Sequence, residues 1–174
     1  MLRLSKLTDY AVVVLIRLGE CDREGRALDG APCVQTSPGL SAGTGVPEPT
    51  VAKVLKALAT AGLVSSHRGA RGGYRLVRPL EAITVADVIA AVDGPIALTA
   101  CVDGSTACCD VSSVCAVKGR WDLVNEAMLR SLTSISLADM QAASVPTAFR
   151  VPAAAISAPS LPASGLSVAA PAAE

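Results

Sequence analysis

At 174 residues the chain is one domain, or one domain with appendages, and is long enough to bury a real core. Its only aromatic residues are Tyr10, Tyr74, Trp121 and Phe149, which argues against a single-strand nucleic-acid binder built on stacking platforms but leaves a duplex reader open. Net charge is zero but uneven: residues 1–78 hold eleven Lys/Arg against six Asp/Glu and residues 79–174 hold four against nine, the pattern of a polyanion-binding head on a different body.

No run approaches the roughly twenty apolar residues of a membrane span; the longest strongly apolar one covers residues 11–16. The first residues lack an apolar h-region and a small-residue cleavage site, so a cytoplasmic protein without membrane attachment is expected. In that reducing compartment, clustered cysteines read as metal ligands or redox groups before structural disulfides.

Residues 5–19 are predicted to form a helix. Leu7, Tyr10, Ala11, Val14, Leu15 and Leu18 share one face, Ser5 is the N-cap, Asp9 suits the first turn, and Gly19 marks the stop. Residues 22–34 read as a charged, then Gly- and Pro-containing connector. A short helix over 38–43 precedes a Gly45 turn and a second helix. In that helix Val51, Val54, Leu55 and Leu58 form the inward stripe, and Gly62 is the residue just past its end. Pro49, Thr50, Ala52, Lys53 and Lys56 face outward, so turn, helix and basic face match the reading half of a helix-turn-helix.

Residues 63–67 and 74–77 alternate as strands around the basic turn Arg68-Gly-Ala-Arg-Gly-Gly73, a hairpin wing. Lys53, Lys56, Arg68, Arg71, Arg75 and Arg78 oppose only Glu48 between residues 48 and 78. A helix over 83–92 is capped by Thr84, with Asp87 at the capping-box position, and stops at Asp93-Gly94-Pro95.

Four cysteines follow within fifteen residues: Cys101, Cys108, Cys109 and Cys115. Thiolates this dense suit a soft metal or a cluster. The spacing admits two sets of three, Cys101/Cys108/Cys115 or Cys101/Cys109/Cys115. Zinc is the competing ion, although its usual pairs are separated by two to four residues and these gaps are longer. Cys21 and Cys33 lie apart and read as incidental. Trp121, Val124, Met128, Leu132 and Ile135 predict a long amphipathic helix over about 120–135, with little chain left to cover it, so a second subunit is the expected cover. Residues 141–174, dominated by Ala, Pro and Ser, read as a disordered tail.

The opening Met1-Leu-Arg-Leu-Ser-Lys-Leu-Thr-Asp-Tyr-Ala11 resembles that of the IscR/NsrR-type iron–sulfur transcriptional regulators. So do the stretches 50–58, 62–64 and 68–76 and the cysteine loop. Gly94-Pro-Ile-Ala-Leu98, the Cys108-Cys109 doublet and Ser136-Leu-Ala-Asp-Met140 bring it nearest to the regulators of SUF-type iron–sulfur assembly. The resemblance covers roughly residues 1–140. It implies a mainly α fold: a winged helix-turn-helix with a two-stranded hairpin wing, a cysteine-rich loop and a long dimerisation helix. Residues 1–80 would be the DNA-binding domain, 81–140 the cluster loop and dimerisation helix.

The resemblance also implies an iron–sulfur cluster, 2Fe-2S or 4Fe-4S, held by Cys101, Cys109 and Cys115. Cys109 is preferred because its gap to Cys115 matches the family's usual last spacing, and Cys108 is the alternate. In one branch a histidine three residues after the last cysteine completes the set; here that position is Lys118, a poor ligand. In the nitric-oxide-sensing branch a first-helix aspartate from the other subunit does so, and Asp9 stands there. Duplex operator DNA is the expected partner, met by Thr50, Lys53, Lys56, Arg68, Arg71 and Arg75. No nucleophile–base pairing or phosphate loop argues for an enzyme. The alternatives are a nitric oxide or redox-responsive repressor on the same scaffold, and a zinc-stabilised interaction module without DNA binding.

Overall fold

The computed structural model describes residues 4–28, 33–69, 72–100, 102, 115–117 and 119–143. The expected tail from residue 144 onward, Arg71, Cys101, Cys108 and Cys109 lie outside the described residues.

Helix α1 spans Lys6–Leu28. The Ser5 hydroxyl accepts the Thr8 backbone N–H at 3.2 Å and opens it as an N-cap. Ala11, Val14, Leu15 and Leu18 are buried on one face, as their spacing predicts. The helix does not stop at Gly19, and residues 22–28 are helical rather than a connector. Gly19 is a packing position: a β-carbon there would lie 2.3 Å from Leu80 Cδ1. Within α1, Arg17 pairs with Glu20 at 3.0 Å across Gly19. Tertiary contacts hold the extension: Gln141 donates to Glu20 at 3.4 Å and Arg23 donates to Gln141. A marginal helix end persists when side chains anchor it this way. The extension also overturns the incidental reading of Cys21 and Cys33, which are joined as a disulfide with Cα atoms 5.6 Å apart.

Helix α2 covers Ser37–Thr44, capped by Thr36, whose side chain accepts from Gly39 N. Helix α3 covers Glu48–Thr60. It ends in paired C-terminal bonds, Leu63 N to Leu58 O at 2.9 Å and Gly62 N to Ala59 O at 3.1 Å, with Gly62 at φ +73°. This is the Schellman arrangement, and only a residue without a β-carbon adopts that φ without strain. Strands β1, Val64–His67, and β2, Gly73–Leu76, pair antiparallel with Ser65 opposite Arg75. Gln35 adds a one-residue bridge to the outer edge of β2 at Tyr74.

A 3-10 turn at Leu80–Ala82 leads into α4, Val85–Val92, whose Thr84–Asp87 capping box is formed on both sides. Helix α5 runs Trp121–Thr133, and α6, Leu137–Ala142, opens on a second capping box between Ser136 and Asp139. The two caps lie side by side. Val85 N donates to Ile135 O and Leu137 N donates to Ile83 O. The core gathers α1, α2, α3, the base of the hairpin, Leu80, Ile83, Val88 and Leu137. The fold is therefore mainly helical with a two-stranded wing, as expected. No helix among the described residues is long and apolar enough to cross a membrane.

The stripe expected on α5 is largely uncovered within the chain. Asn125 is its buried residue. Met128 and Leu132 are half-buried, while Trp121, Val124 and Ile135 are exposed.

Candidate nucleic-acid interface and cysteine loop

The α2–α3 turn is built from side chains that satisfy their own backbone. The Ser41 hydroxyl donates to Val46 O at 2.7 Å and the Thr44 hydroxyl to Leu40 O at 2.6 Å. Val46 itself is buried as a wedge between the helices. Val51, Val54, Leu55 and Leu58 then seat α3 on the core with zero exposure. Burial of that stripe turns Pro49, Ala52, Lys53 and Lys56 to solvent and leaves Thr50 half-buried. Lys53 and Lys56 border an open groove whose far side carries Ala90 and Ala91 of α4.

The wing begins directly after the Schellman turn, so its position relative to α3 is set by the chain. Arg68 is exposed at its tip. Arg75 is half-buried along the sheet, where its Nε donates to the Ser65 hydroxyl at 3.3 Å across the pair. Arg78 is less available than charge counting implies, because its guanidinium meets Asp87 at 3.1 Å. Gly73 serves the protein's own backbone: a β-carbon there would lie 2.6 Å from Gln35 O, where the edge bridge forms.

At the far end of α4, the Asp93 carboxylate gathers the start of α1. The Thr8 hydroxyl donates to it at 2.7 Å and the Ser5 backbone N–H at 3.4 Å. Desolvation opposes its charge, but the hydrogen bonds from Thr8 and Ser5 prevail and hold its pKa below the ordinary carboxylate value. Asn125 fixes the segment that follows. Its Oδ1 accepts from Leu98 N at 3.1 Å and its Nδ2 donates to Ile96 O at 3.2 Å. The chain is thus clamped within a few residues of the first loop cysteine.

Asp93 and Asn125 hold the approach to the cysteine loop, and sequence reasoning assigns neither of them that position. Their signal is the Gly94–Leu98 motif, whose backbone needs a partner because no helix or strand supplies one.

Val102 is buried and Cys115 is a half-buried free thiol. Among the described residues no three His, Cys, Asp or Glu side chains gather as a metal site. Asp9 is exposed, beside a depression lined by Leu4, Val12, Val85 and Met140. The donor set, the four thiols Cys101, Cys108, Cys109 and Cys115 within fifteen residues, fits an iron–sulfur group by its chemistry.

Residues 4–143 match the model of the Rrf2 family, described as an iron-dependent transcriptional regulator. An HTH-type transcriptional regulator of Mycobacterium tuberculosis is 36% identical over 96 residues, 55% of this chain and 55% of that protein. The chain thus spans about half the length of that curated relative. The solved structure of CymR, the global cysteine regulator of B. subtilis, matches with a TM-score of 0.61 at 26% identity, over 83% of this chain and 100% of that one. The T. potens IscR structure matches with a TM-score of 0.55 at 27% identity, over 83% of this chain and 93% of that one.

Proposed function

The chain belongs to the Rrf2 family of transcriptional regulators, and from that premise we propose that it is a DNA-binding regulator whose grip on its operator is set by an iron–sulfur cluster in the 101–115 loop. The family is one of regulators, not enzymes. The observation that carries the DNA half is the pairing of an outward α3 face bearing Thr50, Lys53 and Lys56 with a wing whose Arg68 is exposed. Helix α3 would enter a major groove, with Lys53 at a guanine edge or a phosphate and the wing arginines, Arg71 and Arg75 among them, beside the neighbouring minor groove.

The cluster half is supported by the family description and by the thiol density of the loop. Cys101, Cys109 and Cys115 would hold the group, Cys108 standing as alternate and Asp9 of a second subunit as the fourth donor. When bound, it supplies a redox- and oxygen-sensitive centre whose loss removes a structural tie. This chain's own residues carry the consequence. Asp9 follows Thr8 by one residue, Thr8 is bonded to Asp93, and Asp93 opens the segment leading to Cys101. This is the path by which a change at the loop would reach the first turn of α1.

A homodimer is part of this reading and is supported by α5, where Trp121, Leu123, Val124 and Leu129 stand exposed, Leu123 at 73%. An apolar face of this kind calls for a second copy, and a two-fold assembly presents two heads to a palindrome. The SUF-type assembly genes are the proposed targets.

Anaerobic purification with iron, acid-labile sulfide and zinc analysis tests the reading. Brown protein carrying iron and sulfide is expected; colourless protein carrying only zinc contradicts it.

A further inference from the structure

We propose that Cys21 and Cys33 form a second redox site, a reversible dithiol–disulfide that tethers α1 to the edge of the wing and so tunes DNA affinity independently of the 101–115 loop. The coupling to DNA rests on the function proposed above; the thiol chemistry does not.

The backbone spacing suits the bond. The two Cα atoms are 5.6 Å apart, within the range a disulfide spans without backbone movement. Both residues are half-buried, so a small disulfide reagent reaches them. They are brought together by the part of α1 that runs beyond Gly19, which places Cys21 opposite the segment 33–35.

That segment is the third edge of the wing. Gln35 N donates to Tyr74 O at 2.9 Å and Tyr74 N donates to Gln35 O at 2.8 Å. The Gln35 amide also donates to Cys21 Sγ at 2.9 Å. A covalent bond, an amide contact and a two-bond bridge therefore run in series from α1 to β2. Gly73 seats this bridge, since any side chain there would collide with Gln35 O. With the bond formed, Gln35 is held against β2 from both sides. With it open, only the amide contact and the single-residue bridge remain.

In a compartment that keeps thiols reduced, a disulfide is transient and regulatory. The balanced step is exchange. A Cys thiolate attacks a low-molecular-weight disulfide RSSR and releases one RSH. The second Cys thiolate displaces the other RS group from the mixed disulfide. The chain loses two hydrogens as two protons and two electrons, and RSSR becomes two RSH. A dithiol reverses it.

The test uses the full chain equilibrated over a series of glutathione redox ratios, alkylated and digested with trypsin. Cys21 falls on peptide 18–23 and Cys33 on peptide 27–53, whereas all four loop cysteines share peptide 76–118 because Pro79 protects Arg78 from cleavage. Joined 18–23/27–53 peptides at oxidising ratios and free ones at reducing ratios are expected. Absence of the joined pair at every ratio overturns the site.

Binding to a duplex from the protein's own promoter is then measured in wild type, Cys33→Ser and Cys21→Ser. Reduction should weaken wild-type binding by about fivefold or more. Each serine variant should remain at the reduced affinity at every ratio. Both share the wild-type loop, so the difference between responses isolates the pair. A joined pair with unchanged or tighter binding on reduction overturns the tether. If no form binds DNA, the function proposed above fails while the peptide map still scores the thiol pair.

Discussion

The Thr8 hydroxyl donates to the Asp93 carboxylate at 2.7 Å, across 85 positions of sequence. One residue is buried in the first turn of α1, beside Asp9; the other ends α4 at the approach to the cysteine loop. The bond joins the first turn of α1 to the segment that leads to the cysteine loop.

Thr8→Val keeps the shape of that buried side chain and removes the donor. It should cost about 1 kcal/mol at neutral pH, the net worth of a typical hydrogen bond; the exposure of Asp93 argues against more. The sign with pH follows from Asp93. Its pKa is lowered in the folded chain, so its contribution is present above the unfolded carboxylate value of about 3.9 and is lost as pH falls through the lower folded one. Urea titrations of both proteins at pH 7 and pH 3 should show the gap between them shrinking in acid. A gap that widens contradicts the assignment.

Gly19→Ala sets two effects against each other. Helix propensity favours alanine by about 1 kcal/mol. The β-carbon would lie 2.3 Å from Leu80 Cδ1 and 2.6 Å from Cγ, and overpacking of a buried contact costs about 1–3 kcal/mol. Leu80 is 4% exposed and has little room to retreat, so net destabilisation is expected by thermal melting. In a Leu80→Ala background the same substitution should become neutral or stabilising.

Lys53→Ala and Arg68→Ala act on exposed side chains and should leave the melting temperature unchanged. If Lys53 meets a phosphate, its loss weakens binding about equally across sequences and lowers the salt slope by about 1. If it meets a base, discrimination at one operator position falls by about 1–3 kcal/mol. A salt series on matched and mismatched duplexes separates the two, and no effect in either removes Lys53 from the interface.

Asp9→Ala removes an exposed carboxylate. The variant should elute as the wild type does in size-exclusion chromatography while iron per chain drops. Unchanged iron content with an unchanged cluster spectrum rejects Asp9 as the fourth donor.

Much of the fold was legible because it rests on periodicity and caps. Val51, Val54, Leu55 and Leu58 mark the buried face of α3 by spacing alone, and Thr84 with Asp87 marks the start of α4. The end of α1 was not legible. Gly19 reads as a stop by local propensity, but its reason for being there is Leu80, sixty-one positions away. The same blindness hid the Cys21–Cys33 pair, whose meeting depends on that extra length of helix. Arg78 counts as a wing charge by position, yet it is committed to Asp87. The outward face of α3 was legible as the complement of its buried stripe. The clamp of Asn125 on Ile96 and Leu98 was not, because a buried amide on an amphipathic helix has no periodic signature.

The most direct measurement replaces Cys101, Cys109 and Cys115 together by serine and compares it with wild type, both purified anaerobically, for bound iron and for affinity to the promoter of its own gene. The account predicts loss of iron and sulfide together with a change in affinity of about fivefold or more in a chain that remains folded. Retention of iron, or loss of iron with affinity unmoved, would contradict it.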